Sequence, residues 1–343
     1  MQGLRKERIR FSIYILGSIM LIIIGILISI HTGYLDIPIS RMIATFLGKG
    51  TSADTLTIFE FRLPRIVIAL LVGMGIAISG TILQSISKNP LADPGVLGIN
   101  AGAGFAIVTY TFFIQGLIFA GSPLSVFVMP LIALLGALFA AGIIYLLAWR
   151  KGSLSPTRML LVGIGVNAAF GAAITVIQLK MEPTDFMKTV VWLSGSIWSS
   201  SWTMIFALLP WLLLFIPLAF YKSRVLDILS LNEITAIGVG ISLNKERRNL
   251  LLIAVLLAGA CVAVGGGITF LGLVAPHIAR RLVGSWHQRI LPLSACIGAL
   301  LVLFADILGR IVMSPAELPV GIILSMIGAC LLYTSPSPRD YAA

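Results

Sequence analysis

At 343 residues, with 58% hydrophobic and only 11% charged side chains and a mean hydropathy of +1.05, the chain lies far outside the range of soluble globular domains. Its 24 Lys and Arg against 13 Asp and Glu give a formal net charge of +11. The cations gather between apolar stretches, so membrane topology accounts for them without a nucleic-acid partner.

Hydropathy over a window of about 19 residues predicts an all-α polytopic membrane protein with ten spans. They lie near 11–30, 64–86, 96–115, 124–148, 157–179, 202–220, 247–268, 270–283, 290–309 and 318–333, two of them short. The first follows the basic stretch MQGLRKERIR and has no small-residue cleavage site after it, which predicts a retained helix rather than a signal peptide. With the amino terminus inside, sixteen Lys and Arg fall in inner segments and seven in outer ones (Arg41, Lys49, Arg62, Arg65, Lys180, Lys188 and Arg310), as the positive-inside rule requires for an even number of spans.

Between the second and third spans stands SKNPLADPGVLGINAGAGF, residues 87–105. Pro90 and Pro94 each lack an amide donor and disfavour helix in the residue before them, so one helix must end and another begin here. Asn89 and Asp93 are suited to bond the freed backbone groups, a scaffold role; direct contact with a substrate is the alternative. Shifting the chain by 186 residues lays LLVGMGIAISGTI, 70–82, on LLAGACVAVGGGI, 256–268, with six identities in thirteen, and places Pro90 on Pro276. The two spans run in opposite senses, so the repeat is inverted, a transporter device; chance similarity of two Gly-rich helices is the competing explanation.

The sequence contains no GxxxxGK[ST] phosphate loop, which removes that route to ATP. His31, His277 and His287 have no ligands near them in sequence, and Cys261, Cys296 and Cys330 sit singly in apolar segments, so neither a metal site, a cofactor nor an enzyme is expected. Asp306 is the one acid deep in a span, with Arg310 four residues on; a structural ion pair and a pathway role are both open.

RLPRIVIALLVGMGIAISGTILQSISKNPLADPGVLGINAGA, 62–103, closely resembles the signature of FecCD-type permeases. GGGITFLGLVAPHIARRLVG, ADILGR and AELPVGI continue the resemblance in order, over roughly residues 11–328. The resemblance implies the type II ABC importer fold and a single transmembrane permease domain over 1–333. It implies a second permease copy or paralogue around a central path, an ABC ATPase subunit on the inner side, and an extracytoplasmic substrate-binding protein on the outer side. A ferric siderophore is the expected cargo, cobalamin or haem the alternative within the family, and the cytoplasmic membrane of a bacterium the expected location. An ion-coupled secondary transporter is the reading from another class; it needs embedded carboxylates, of which Asp306 is the only candidate.

By the same resemblance Asn89, Pro90, Asp93, Pro94 and Pro276 are structural turn residues. The segment 223–249 is the ATPase-coupling element, two short helices carrying Leu231, Glu233, Ala236 and Gly238, with Asn232 where glycine is usual. Helices near 160–173 and 318–329 surround the path, so Gly163, Asn167, Gly321 and Ser325 are expected at the pathway and dimer contact. Arg62, Arg65 and Arg310 match positions that receive glutamates of the binding protein; lipid anchoring, or an internal pair with Asp306, is the alternative. After Tyr333 the chain turns to Ser and Pro, so residues 334–343 are expected to be a non-native or disordered tail.

Overall fold

The computed structural model describes residues 2–32, 37–114, 125–150, 152–231, 233–313 and 316–334. Each of the ten predicted spans coincides with a helix: α1 (Gln2–His31), α4 (Leu63–Ser87), α5 (Ile99–Phe113), α6 (Ser125–Ala148), α7 (Pro156–Gln178), α9 (Trp202–Tyr221), α12 (Leu243–Gly265), α13 (Leu271–Val283), α14 (His287–Val312) and α15 (Val320–Thr334). Among the described residues, seven helical stretches are long and apolar enough to cross a membrane. At 15, 13 and 15 residues, α5, α13 and α15 fall short of the roughly 20 a span needs. The other helices are α2 (Ile39–Phe46), α3 (Ser52–Leu56), α8 (Pro183–Leu193), α10 (Ser223–Ser230) and α11 (Glu233–Gly238), and a two-residue-per-strand hairpin, Trp149–Arg150 with Ser153–Leu154, joins α6 to α7. The tail beyond Thr334 lies outside the described residues.

Three helices form the centre. In α4, α12 and α14 between 72% and 78% of the most apolar window is buried, whereas α1, α7 and α9 bury only 22% and present apolar side chains outward. The two repeat-related helices, α4 and α12, pack on each other, and α4 also packs on α14. Small residues permit this: a Cβ on Gly73 would stand 2.5 Å from the Gly298 carbonyl oxygen, so α4 and α14 meet backbone to backbone.

Helix α4 is entered through a π-helical turn, Thr57–Arg62, continuous with α3 before it. Pro64 follows at the start of α4. Its ring crowds the carbonyl a turn earlier, and the wider turn, with the Leu63 amide reaching Ile58 O, relieves that conflict. At its other end α4 stops at Lys88, whose φ of 52° is left-handed. Asn89 Oδ1 then accepts from Leu91 N at 2.8 Å and Asp93 Oδ1 from Gly95 N at 2.7 Å, the side-chain turns the two prolines call for.

Pro276 departs from the expectation. It is not in a turn but inside α13, buried. The carbonyl four residues back, Gly272 O, loses its helical donor to the proline ring, and Gln84 Nε2 of α4 donates to it at 3.2 Å. A neighbouring helix thus satisfies the group that Pro276 orphans, and the helix continues.

Candidate functional site

At the outer end, by the charge rule, the three arginines turn inward. Asp306, fully buried on α14, accepts from Arg65 at 2.7 Å and lies 3.1 Å from Arg310 Nη2. Arg65 also holds Glu317 at 2.8 Å. Arg310 donates to Ser29 Oγ at 2.5 Å and to Thr32 O at 3.1 Å, and Arg62 donates to Ile30 O and to His31 O, so both guanidiniums secure the end of α1. Their side chains are 8% (Arg310) and 12% (Arg65) exposed, and Arg62 as a residue 7%. Two acids balance Arg65 and Arg310, as low-dielectric burial demands. The Asp306–Arg310 pair was legible as an i,i+4 spacing; Arg65, 241 residues from Asp306, was not. Beside this cluster opens a cavity of about 740 Å³ lined by Trp192, Trp198, Met129, Met187, Arg65 and Glu317, among others.

At the inner end, α10 and α11 form the two short helices expected in 223–249, followed by a left-handed Gly240 with φ of 87°. Glu233 pairs with Arg247 at 2.6 Å, and that guanidinium holds the Glu233 carboxyl below its ordinary range. Ala236 is buried, so it supports the loop from within rather than touching a partner directly. Leu231 and Gly238 are exposed. What the sequence reading missed are Ile234, Ile237 and Val239, which are 78%, 61% and 65% exposed in this polar segment. Their signal was present: a bare apolar residue at each of 234, 237 and 239 among Glu, Thr and Gly. Asn232 lies outside the described residues.

Between the two ends runs a seam lined by glycine. Leu97 packs against Gly163 of α7, and Gly98, with φ of 79°, approaches the backbone of Asn167, so the 88–98 turn is seated on α7. Asp93, Asn100, Asn167, Thr269 and Phe270 line a cavity of about 270 Å³. Burial pushes the Asp93 carboxyl up to about 6, while the amides of Gly95, Val96, Gly272 and Leu273 favour its charged form. Ser325 of α15 shares a 3.1 Å hydrogen bond with Thr269 and donates to Gly321 O at 2.7 Å. Gly163 and Gly321 are not brought together directly. Gly163 packs on Leu97, whereas Gly321 packs on the end of α8: Gly321 N donates to Gly195 O at 3.0 Å, and Gly267 N donates to Trp192 O at 3.1 Å. A Cβ on Gly321 would stand 2.2 Å from Ser194 O, so no larger residue fits. The outward face of α7 is open, with nothing near Gly165 or Gly171 and with Leu161, Ile164 and Val176 more than half exposed.

Cys261 is buried, Cys296 half-buried and Cys330 exposed. His287 is not alone: its imidazole lies 2.7 Å from Asp227 and 2.6 Å from Ser85, partners 60 and 202 residues away in sequence. Among the described residues no cluster of three His, Cys, Asp or Glu forms a metal site.

Buried charge at one end, an exposed apolar loop at the other and a small-residue seam between them make this a polytopic helical membrane protein with close helix packing. The pattern of the FecCD transport family matches residues 21–334, and the chain belongs to that family. It is 51% identical over 312 residues to the iron(3+)-hydroxamate import system permease protein FhuG of Bacillus subtilis, covering 91% of this chain and 93% of that one. It is 36% identical over 303 residues to the Fe(3+) dicitrate transport system permease protein FecD of Escherichia coli, covering 88% and 91%. A solved structure described as a metal-chelate type ABC transporter, in an inward-facing conformation, superposes with a TM-score of 0.80 at 29% identity, over 93% of this chain and 96% of that one.

Proposed function

We propose that this chain is the permease subunit of an ABC importer that moves a ferric siderophore inward across the cytoplasmic membrane. In this reading ATP is hydrolysed by a separate subunit and the cargo is delivered by a binding protein. The observation that carries it is the 51% identity, over nearly the whole chain, to a permease for iron(3+)-hydroxamates, which makes a ferric hydroxamate the first cargo to test. The geometry counts against an ion-driven mechanism. Asp306, the deep acid an ion-coupled device would use, is committed to Arg65 and Arg310.

The parts take these roles. Ile234 and Ile237, with Leu231, form the apolar face that seats in the ATPase; Glu233 and Ala236 hold that face in shape, and Gly238 ends α11. A second permease copy covers the open face of α7 and the exposed side of α15, with Asn167 and Ser325 facing the path through the seam. The binding protein docks over Arg65 and Glu317, with Arg62 and Arg310 fixing the corner between α1, α4 and α14. Residues 1–333 act as one transmembrane unit. Reconstitution with an ATPase and a binding protein, followed by uptake of labelled ferric hydroxamate, tests this: uptake requires ATP, and uptake driven by a proton gradient without ATP refutes the reading.

A further inference from the structure

The imidazole of His287, at the first turn of α14, is buried between two elements far apart in sequence. On one side the Asp227 carboxylate of α10 accepts from His287 N at 2.8 Å and from Nδ1 at 2.7 Å. On the other, His287 Nε2 lies 2.6 Å from Ser85 Oγ in the last turn of α4. Ser85 Oγ also lies 2.8 Å from Thr81 O, one turn back. The proton count shows that this chain is closed in either form of the ring. Neutral His287 donates Nδ1–H to Asp227 and accepts the Ser85 hydroxyl on Nε2. Charged His287 donates on both sides, and the Ser85 hydroxyl then turns to Thr81 O. A serine, a histidine and an aspartate in this order also occur in hydrolases, but here Ser85 is only 7% exposed and has no approach for a substrate.

The position matters more than the resemblance to a catalytic set. Asp227 sits on the helix immediately before the exposed face of α11, and Ser85 and His287 sit at the inner ends of α4 and α14, the two central helices that meet at Gly73 and Gly298. A second tie joins the same regions: Lys88 Nζ donates to Leu231 O at 2.8 Å. Third, Arg280 of α13 donates to Gln84, the neighbour of Ser85. The short bonds that the buried His287 makes to Ser85 and to the part-buried Asp227 resist displacement more than apolar packing does, because sliding them leaves the buried imidazole unpaired.

We propose that the Asp227–His287–Ser85 chain is the strut that carries displacement of the coupling loop into α4 and α14, and that His287 is a positioning residue for transport. The inference rests on the assignment of the exposed face at Leu231, Ile234 and Ile237 as the ATPase-docking element.

The test uses the complete transporter in proteoliposomes, with its ATPase and binding protein, and reads ATP hydrolysed per ferric hydroxamate imported. Ser85→Ala and Asp227→Asn should leave the ATPase bound and hydrolysing while raising that ratio roughly tenfold, about 1.4 kcal/mol of lost coupling. Asp227→Glu, which keeps the carboxylate, should recover most of it. An unchanged ratio in both Ser85→Ala and Asp227→Asn overturns the proposal. So does loss of assembly in Asp227→Asn with normal coupling in Ser85→Ala, since the chain would then be a support and not a transmitter. Ile234→Asp with Ile237→Asp tests docking separately: if that variant retains its ATPase, the docking assignment fails, whatever the strut variants show.

Discussion

The two ends of the bundle treat polarity in opposite ways. At the outer end three arginines fold inward, onto Asp306, Glu317 and the end of α1, and are largely withdrawn from water. At the inner end the buried Arg247 pairs with a half-exposed Glu233, while Ile234 and Ile237 stand exposed beside them. Charges buried near the apolar core are stable only in compensated sets, so the outer cluster resists change. Exposed aliphatic residues on a polar loop gain only when something covers them, which is the physical ground for the partner proposed at the inner face.

The comparison can be broken most forcefully at Asp306. Asp306→Ala leaves Arg65 and Arg310 without their shared acid and should destabilise the bundle by about 3–5 kcal/mol, read as a lower unfolding temperature in detergent and a lower yield of inserted protein. Tolerance of the substitution would mean that the outer cluster is not structural. Next in size is the inner face: Ile234→Asp with Ile237→Asp should weaken ATPase association by about 2 kcal/mol or more, some thirtyfold, with the bundle itself unaltered. Co-purification and thermal melting, measured together, separate the two effects.

A finer change sharpens the outer end. Glu317→Gln releases one arm of Arg65 without touching Asp306; if the binding protein offers a carboxylate there, its affinity should rise by about 1 kcal/mol or less, about fivefold. Constant affinity in lipid discs would leave Arg65 as an internal support alone. At the seam, Asn167→Cys, in a background without Cys261, Cys296 and Cys330, should react with a membrane-impermeant thiol reagent at a rate that changes several-fold with nucleotide. The same rate in every nucleotide state would take Asn167 off the path.

The smallest effect is one of pH. Arg247 lowers the Glu233 carboxyl below its ordinary value, so the pair stabilises the loop at all pH values above the ordinary carboxylate range, near 4.3, and the contribution is lost as pH falls through the lowered value. Protease cleavage within 223–249 should therefore increase only in acid, and Glu233→Gln should cleave faster at neutral pH with that pH dependence removed.

How much of this was legible in the sequence differs by distance along the chain. The ten helices were readable because each rests on a local property, apolar length bounded by polar or proline-bearing segments. The Asn89 and Asp93 turns and the Asp306–Arg310 pair were readable for the same reason: the partners lie within four residues. Pro276 was misplaced because a proline predicts a break unless something satisfies the carbonyl behind it, and that something is Gln84 of another helix. His287 looked solitary because its partners are remote.

Composition and periodicity by themselves determined that this chain lies in a membrane as a bundle of helices, and the ordered motifs over 62–103 and 265–322 determined which kind of bundle. Both follow from short-range rules: backbone groups in lipid must pair within their own segment, and cations stay preferentially on the inner side. Only the tertiary structure decided that Arg62, Arg65 and Arg310 turn inward, that Ala236 is buried while Ile234 is exposed, and that Asp227, His287 and Ser85 meet. Those outcomes depend on which helices approach closely enough to compensate a buried charge or cover a side chain, and that is fixed by contacts such as Gly73 on Gly298 between segments more than two hundred residues apart.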